Sequence, residues 1–215
     1  MSASFDRALI FLQSAKYLIT PDLENASENA ELARAINENY VIALYRCFVM
    51  SRLAHNSNAR YSEALEMCKN FYTKTISNKE TDLQFVLHEC RILTYMGKNL
   101  ENVTRGLQAL SWVGIQIPPV LDNPSLVPSY EAELLQEVHK TTKDIGLLET
   151  FNNLPPLDNK MLFAAHSILI EIIAPMAWCA PYLLHTLPLV GVIMTFKHGK
   201  SVHSGFYVLS HTISC

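Results

Sequence analysis

Gly199-Lys200-Ser201 is the first place where residue types suggest chemistry, because a lysine after a glycine, ahead of a hydroxyl, can cradle phosphates at a helix N-terminus. The phosphate-loop pattern requires an earlier glycine, and Met194 stands there after an apolar run. The tripeptide therefore reads as an inter-helix turn, with Gly199 left-handed and Ser201 capping the next helix. Five of the eight histidines, His166, His185, His198, His203 and His211, fall in the last third of the chain. No two stand three or four residues apart, the helical spacing that converges imidazoles on one ion, and Asp158 and Glu171 are the acids nearby. Ser210-His211 has neither a matching acid nor a nucleophile elbow. The sequence thus offers no catalytic, cofactor-binding or metal-binding residue, and none is expected.

His88-Glu89-Cys90-Arg91 looks superficially like the phospho-accepting box of histidine kinases. No proline follows at the usual distance and no glycine-rich ATP lid follows at all, so His88 is expected to be an exposed helix residue. Cys47, Cys68, Cys90, Cys179 and Cys215 are an odd, widely spaced set without a Cys-x-x-Cys knuckle. With no secretory stretch at the start, they read as buried thiols in a reducing, cytoplasmic compartment.

The elements that would position these residues are helices. The 215 residues are 49% apolar and 17% charged, with seven glycines, a composition that excludes disorder and leans away from many-turned β folds. A formal charge of -3 supplies no basic field for nucleic acid. Apolar stripes at steps of three and four run through 5–19, 32–54, 61–76, 83–93 and 100–114 and predict five helices. Thr20-Pro21, residues 55–58, Ser77-Asn78, residues 97–99 and Ile117-Pro118-Pro119 punctuate them. A sixth stripe, Tyr130, Leu134, Val138, Thr141, Ile145 and Leu148, follows the proline-containing segment 118–129. Three more helices are expected over 159–174, 182–196 and 202–215.

Phe5 to Leu9, Tyr61 to Leu65 and Val103 to Leu107 share an apolar residue, then a small one three places on, then leucine. The small residue admits a close partner helix, and pairs stacked on pairs build a solenoid. The expected fold is all-α, an antiparallel helix-pair array of about nine helices resembling tetratricopeptide repeats. Its parts are repeats over 1–117, a linker over 118–129 and a C-terminal helical part over 130–215.

Only five of the 37 charged residues lie beyond Thr150, and none lies between Ile172 and Phe196. That run is long enough to cross a bilayer, which raises the alternative of a small membrane protein with a hairpin at 162–196. Pro175, Pro181 and Pro188 break it, His185 and Thr186 interrupt it, and no lysine or arginine cluster flanks it. Buried packing with proline at inter-helix corners is the expectation.

The stretch 148–210 carries a resemblance. Leu154-Pro155-Pro156-Leu157-Asp158, a helix near Met161 with Ile168-Leu169, Ala174-Pro175, Pro181 to Leu184, Thr195 to Ser201 and Ser204-Gly205-Phe206-Tyr207 are similar to the helical region of very large fungal and bacterial sensor histidine kinases. Ala8 to Ile19, Tyr40 to Met50, Tyr61 to Leu65 and Gly106-Leu107-x-x-Leu110-x-x-x-Gly114-x-x-x-Pro118 extend it upstream. Such proteins join a kinase-like domain, an ATPase module, this helical region, a GAF sensor and a histidine kinase core. The resemblance implies a non-catalytic cytoplasmic scaffold of a phosphorelay in intracellular stress signalling, with other protein modules as partners and no cofactor. It also implies that the chain stops inside a continuing helix, leaving Phe206, Tyr207 and Leu209 exposed for self-association. The alternative reading is a stand-alone tetratricopeptide-like adaptor, with Arg34, Arg46, Arg52 and Arg60 lining a groove.

Overall fold

A computed structural model describes residues 79–143 and 146–214, together with 35, 39, 62 and 64–66. The chain divides into two compact units, Met1–Ser77 and Asn78–Cys215. In the first, the described residues are helical, with Ala64 and Leu65 buried and Ala35, Asn39, Ser62 and Glu66 exposed. The stripes at 5–19, 32–54 and 61–76 otherwise lie outside the described residues.

The described residues of the second unit form seven α-helices and no strand: α1 Lys79–Tyr95, α2 Asn99–Trp112, α3 Val127–Thr142, α4 Leu147–Asn153, α5 Lys160–Cys179, α6 Thr186–His198 and α7 Ser204–Ser214. Short 3-10 turns at Pro124–Leu126 and Pro181–Leu183 precede α3 and α6. The all-α class read from the sequence is what the described residues adopt.

Glycine ends the first two helices. At Gly97 (φ 71°) the amide of Lys98 reaches Leu93 O at 3.0 Å, and at Gly114 (φ 84°) the amide of Ile115 reaches Leu110 O at 3.1 Å. Each left-handed glycine thereby lets a following amide satisfy a carbonyl that the helix end leaves open. Gly114 therefore lies past the end of α2 rather than on its stripe, and α2 stops six residues before Pro118. The helices are antiparallel, since Asn102 donates to Thr94 (2.6 Å) while the later Arg105 donates to the earlier Glu89 (2.7 Å).

The sixth stripe splits in two. Gly146, at φ 81°, stands between α3 and α4 in a conformation that L residues avoid, and Leu148 consequently points to solvent, 61% exposed. Leu134 and Val138 keep their predicted burial.

α5 is the central element. Gly106 of α2 faces Ile168 and Ile172 so closely that a Cβ there would overlap Ile172, which realises the close approach expected of that small residue. Arg91 of α1 meets Glu171 of α5 at 3.4 Å. The core formed by α1, α2 and α5 thus spans the segment 118–129.

α6 packs on α5, α3 and α7. Thr186 and Lys197 of α6 reach Glu131 and Glu137 of α3, at 3.4 and 2.6 Å. Later residues meet later ones, so α3 and α6 run in the same sense.

Pro175 also departs from expectation. It lies inside α5, itself buried, where it leaves the Glu171 carbonyl without its helical donor, and the helix continues to Cys179. Packing around α5 outweighs the break. Pro181 does start a turn, and Pro188 sits third in α6, where no helical donor is needed.

At about 1.5 Å per residue, the 20 residues of α5 reach roughly the 30 Å of a bilayer core, whereas the 13 of α6 reach only about 20 Å. Among the described helices α5 alone is long and apolar enough to cross a membrane, and just over half of its apolar window, 56%, is buried inside the protein. Leu183, Leu187 and Val190 point inward.

Candidate functional site

The sequence singles out residues by spacing along the chain; the fold joins groups 35 to 41 residues apart into one polar seam between α5, α6 and α7. Asn159 caps α5, its side chain accepting from Leu162 N at 3.1 Å, and so fixes where the helix begins. His166 and Ser167 then fall two turns in, toward α7. From the other side the turn 199–203 is strapped to the segment before α5. Lys200 N donates to Pro155 O (2.7 Å) and Leu157 N to Lys200 O (2.8 Å), a single parallel bridge. Gly199, φ 106°, passes so close to Pro155 O that a Cβ would lie 2.8 Å from it.

This strap settles what Gly199-Lys200-Ser201 does. The Gly199 amide donates to Thr195 O, that of Lys200 to Pro155 O and that of Ser201 to Ser204 Oγ, while Lys200 Nζ donates to Asn152 O at 2.9 Å above the Phe151 ring. The donors a phosphate would need are engaged within the protein. Gly199 does need a positive φ, though in an extended form rather than the left-handed helical one (ψ 173°). Ser201 does cap, its Oγ accepting from His203 N at 3.2 Å.

Within the seam, His166 Nδ1 lies 3.1 Å from Ser201 Oγ, Ser201 Oγ 3.3 Å from Ser204 Oγ, and Ser204 Oγ 2.9 Å from Thr195 Oγ1. Each hydroxyl has one proton to give. Thr195 spends its proton on Gly191 O (2.8 Å), so it accepts from Ser204. Ser201 has two outlets for its proton, Ser204 Oγ and His166 Nδ1. Burial decides between them: with His166 as the Nδ1–H tautomer donating to Ser201, its Nε2 is a bare acceptor without a partner in a residue that is 0% exposed. A buried bare acceptor costs less than the buried, unmatched N–H that the other tautomer would leave there.

By the same proton count the second histidine takes the opposite tautomer. Ser167 gives its proton to Phe163 O (3.0 Å), so His203 Nε2–H must donate to Ser167 Oγ at 3.1 Å. Tyr207 closes the seam: its hydroxyl donates to His166 O at 2.7 Å, and its ring lies where a Cβ on Gly191 would be. Tyr207 is fully buried, contrary to the exposed end expected from the sequence, because Gly191 opens a slot for it; Phe206 and Leu209 are exposed as expected.

Burial, reinforced by the fields of His203 and His198, lowers the pKa of His166 to about 4. Burial, then Arg91, lowers that of His203. Burial raises the Tyr207 phenol well above its ordinary value. Neither imidazole has a carboxylate in hydrogen-bond contact, so the seam has the Ser–His pairs of acyl-transfer enzymes without the acid that would orient and charge them.

Elsewhere, His88 is buried, 7% exposed, and not the surface residue expected: 85–90 are all buried. Cys90 is buried and Cys179 half-buried. His185 and His198 are exposed, and among the described residues no three His, Cys, Asp or Glu converge as metal ligands. Arg34, Arg46, Arg52, Arg60, Cys47, Cys68 and Cys215 lie outside the described residues. No sequence motif announces the seam. Its one visible trace is the density of Ser, Thr and His in an otherwise apolar third of the chain. Comparisons with protein-family models, curated proteins and solved structures return no match.

Proposed function

We propose that this chain is a non-catalytic helical scaffold and regulatory segment of a cytoplasmic phosphorelay sensor histidine kinase, acting on other protein modules in stress signalling. The observation that carries the reading is that the separate stretches similar to that family are the ones that meet. Leu154 to Leu157 pair with Lys200, Thr195 bonds Ser204, and Tyr207 docks on His166 and Gly191. A shared role for those residues as a packed scaffold explains why they would occur together.

The repeat architecture belongs to this proposal. α1 and α2 form one antiparallel pair, and α5 takes the place of the next pair's first helix, with α3 and α4 as an excursion from the stack. Rigid helix pairs sharing a core suit the transmission of a conformational state between flanking modules. Sequencing transcripts through both ends of this segment tests the reading. The expected result is a continuous frame with an ATPase module upstream and a GAF-type domain downstream; a frame encoding neither contradicts it.

One observation favours a second reading. The length and apolarity of α5, ending beside an 82% exposed Trp178, would suit a membrane-associated protein. Alkaline washing of membranes separates the two, since a scaffold is released and a spanning protein stays in the pellet.

A further inference from the structure

The polar seam does something that a scaffold role does not require. From its geometry we infer that the α5–α7 seam is a proton-operated latch: it closes over a neutral His166 whose Nε2 has no acceptor, and protonation of that ring favours release of α7 and the strap at 199–203. Three elements converge on the imidazoles of His166 and His203, and since an imidazolium would keep both N–H contacts to serine, the cost of a proton falls on the buried Nε2 of His166. His166 Nδ1–H starts the hydroxyl chain through Ser201 and Ser204 to Thr195, and His203 Nε2–H holds Ser167. A proton added to His166 enters at Nε2, where no acceptor stands and no solvent reaches.

The charged surroundings offer no relief. α6 contributes His198, and Lys197 beside it is held by Glu137 of α3. The turn 199–203 contributes His203, α7 contributes Tyr207 and His211, and α1 contributes Arg91, whose field already acts on His203. Glu171 of α5 pairs with Arg91, Glu89 of α1 with Arg105 of α2, and Glu101 of α2 with Lys98; α1 also carries Glu80 and Asp82, and Asp158 stands just before α5. A second positive charge in the seam therefore meets cations and apolar walls, and the relief available is for α7 to move off. The α1–α2–α5 contact is built on the aliphatic approach of Ile168 and Ile172 to Gly106, with His88 buried on α1 and the ion pairs Arg91–Glu171 and Arg105–Glu89 beside it.

Linkage gives the sign. A histidine held down at about 4 in the closed form and at 6.5 when solvated favours the open form as pH falls from about 6.5 to 4. Between pH 7 and pH 5 that difference multiplies the opening equilibrium roughly 20-fold, with His203 adding in the same direction.

Amide hydrogen exchange on the full chain, corrected for intrinsic rates, tests the latch. Protection of 204–211 should fall roughly 20-fold from pH 7 to pH 5 while that of α2 changes far less, and His166→Asn, which keeps a polar atom near Ser201, should remove most of the fall. Equal loosening of α2 and α7, or no change in α7, overturns the inference. If the variant does not fold, titration of the His166 ring by NMR in the native chain decides. No titration above about pH 5 supports the latch, and a midpoint above 6 refutes it.

Discussion

α5 presents two seams that differ in kind. Toward α1 and α2 it offers aliphatic surface: Ile168 and Ile172 close on Gly106, with ion pairs at the margin. Toward α7 it offers His166 and Ser167, and the contact is a directed run of single-proton donors ending on Gly191 O. Burial of apolar area tolerates small shifts and is indifferent to protons, whereas a seam closed over a buried imidazole without an acceptor at Nε2 is weakened when that ring takes a proton. One helix thus joins a seam suited to permanence and a seam suited to regulation.

The largest expected effect lies on the aliphatic side. Ile172→Ala removes a fully buried side chain against Gly106 and should cost about 2–5 kcal/mol in denaturant unfolding, with equal loss at pH 7 and pH 5. A loss that grows in acid would erase the distinction between the seams. Gly191→Ala probes the other side. Its methyl would overlap the Tyr207 ring, which the bond to His166 O holds in place. Overpacking of about 1–3 kcal/mol outweighs the roughly 1 kcal/mol of helix propensity gained, so calorimetry should show a lowered Tm.

Tyr207→Phe keeps the ring and removes the bond to His166 O. It should cost about 1 kcal/mol, and hydrogen exchange should place the loss in α7 rather than α2. The smallest effect is expected at Lys197, whose pair with Glu137 is about half exposed. Lys197→Ala should change stability by less than about 1 kcal/mol, and the change should vanish in high salt.

The two seams also differ in how far the sequence discloses them. Helical stripes locate Leu83, Leu87, Cys90, Val103 and Leu110, all buried as expected, and a small residue at Gly106 marks the close approach. Such signals are local, repeating every three or four residues along one helix. The split is hidden because the apolar stripe continues across it, whereas the positive φ of Gly146 just ahead of α4 is a backbone feature that no stripe encodes. Pro175 misleads because proline's cost is local while the packing that outweighs it comes from α1, α2 and α6. A single stripe along α1 leaves His88 on the outer face, whereas residues 85–90 are buried on every face of the helix.

The polar seam is illegible for a different reason. His166 meets Ser201 and Tyr207 across 35 and 41 residues, and no periodicity encodes that distance. Metal and triad spacings mark histidines that act together, whereas these two act in opposite tautomers on separate serines.

Those tautomers offer the most direct test of the second seam. Nitrogen-15 chemical shifts of the two rings at neutral pH should show His166 protonated at Nδ1 with a bare Nε2, and His203 protonated at Nε2 with a bare Nδ1. Finding both rings in the same tautomer, or His166 as imidazolium at pH 7, would contradict the directed chain on which that seam rests.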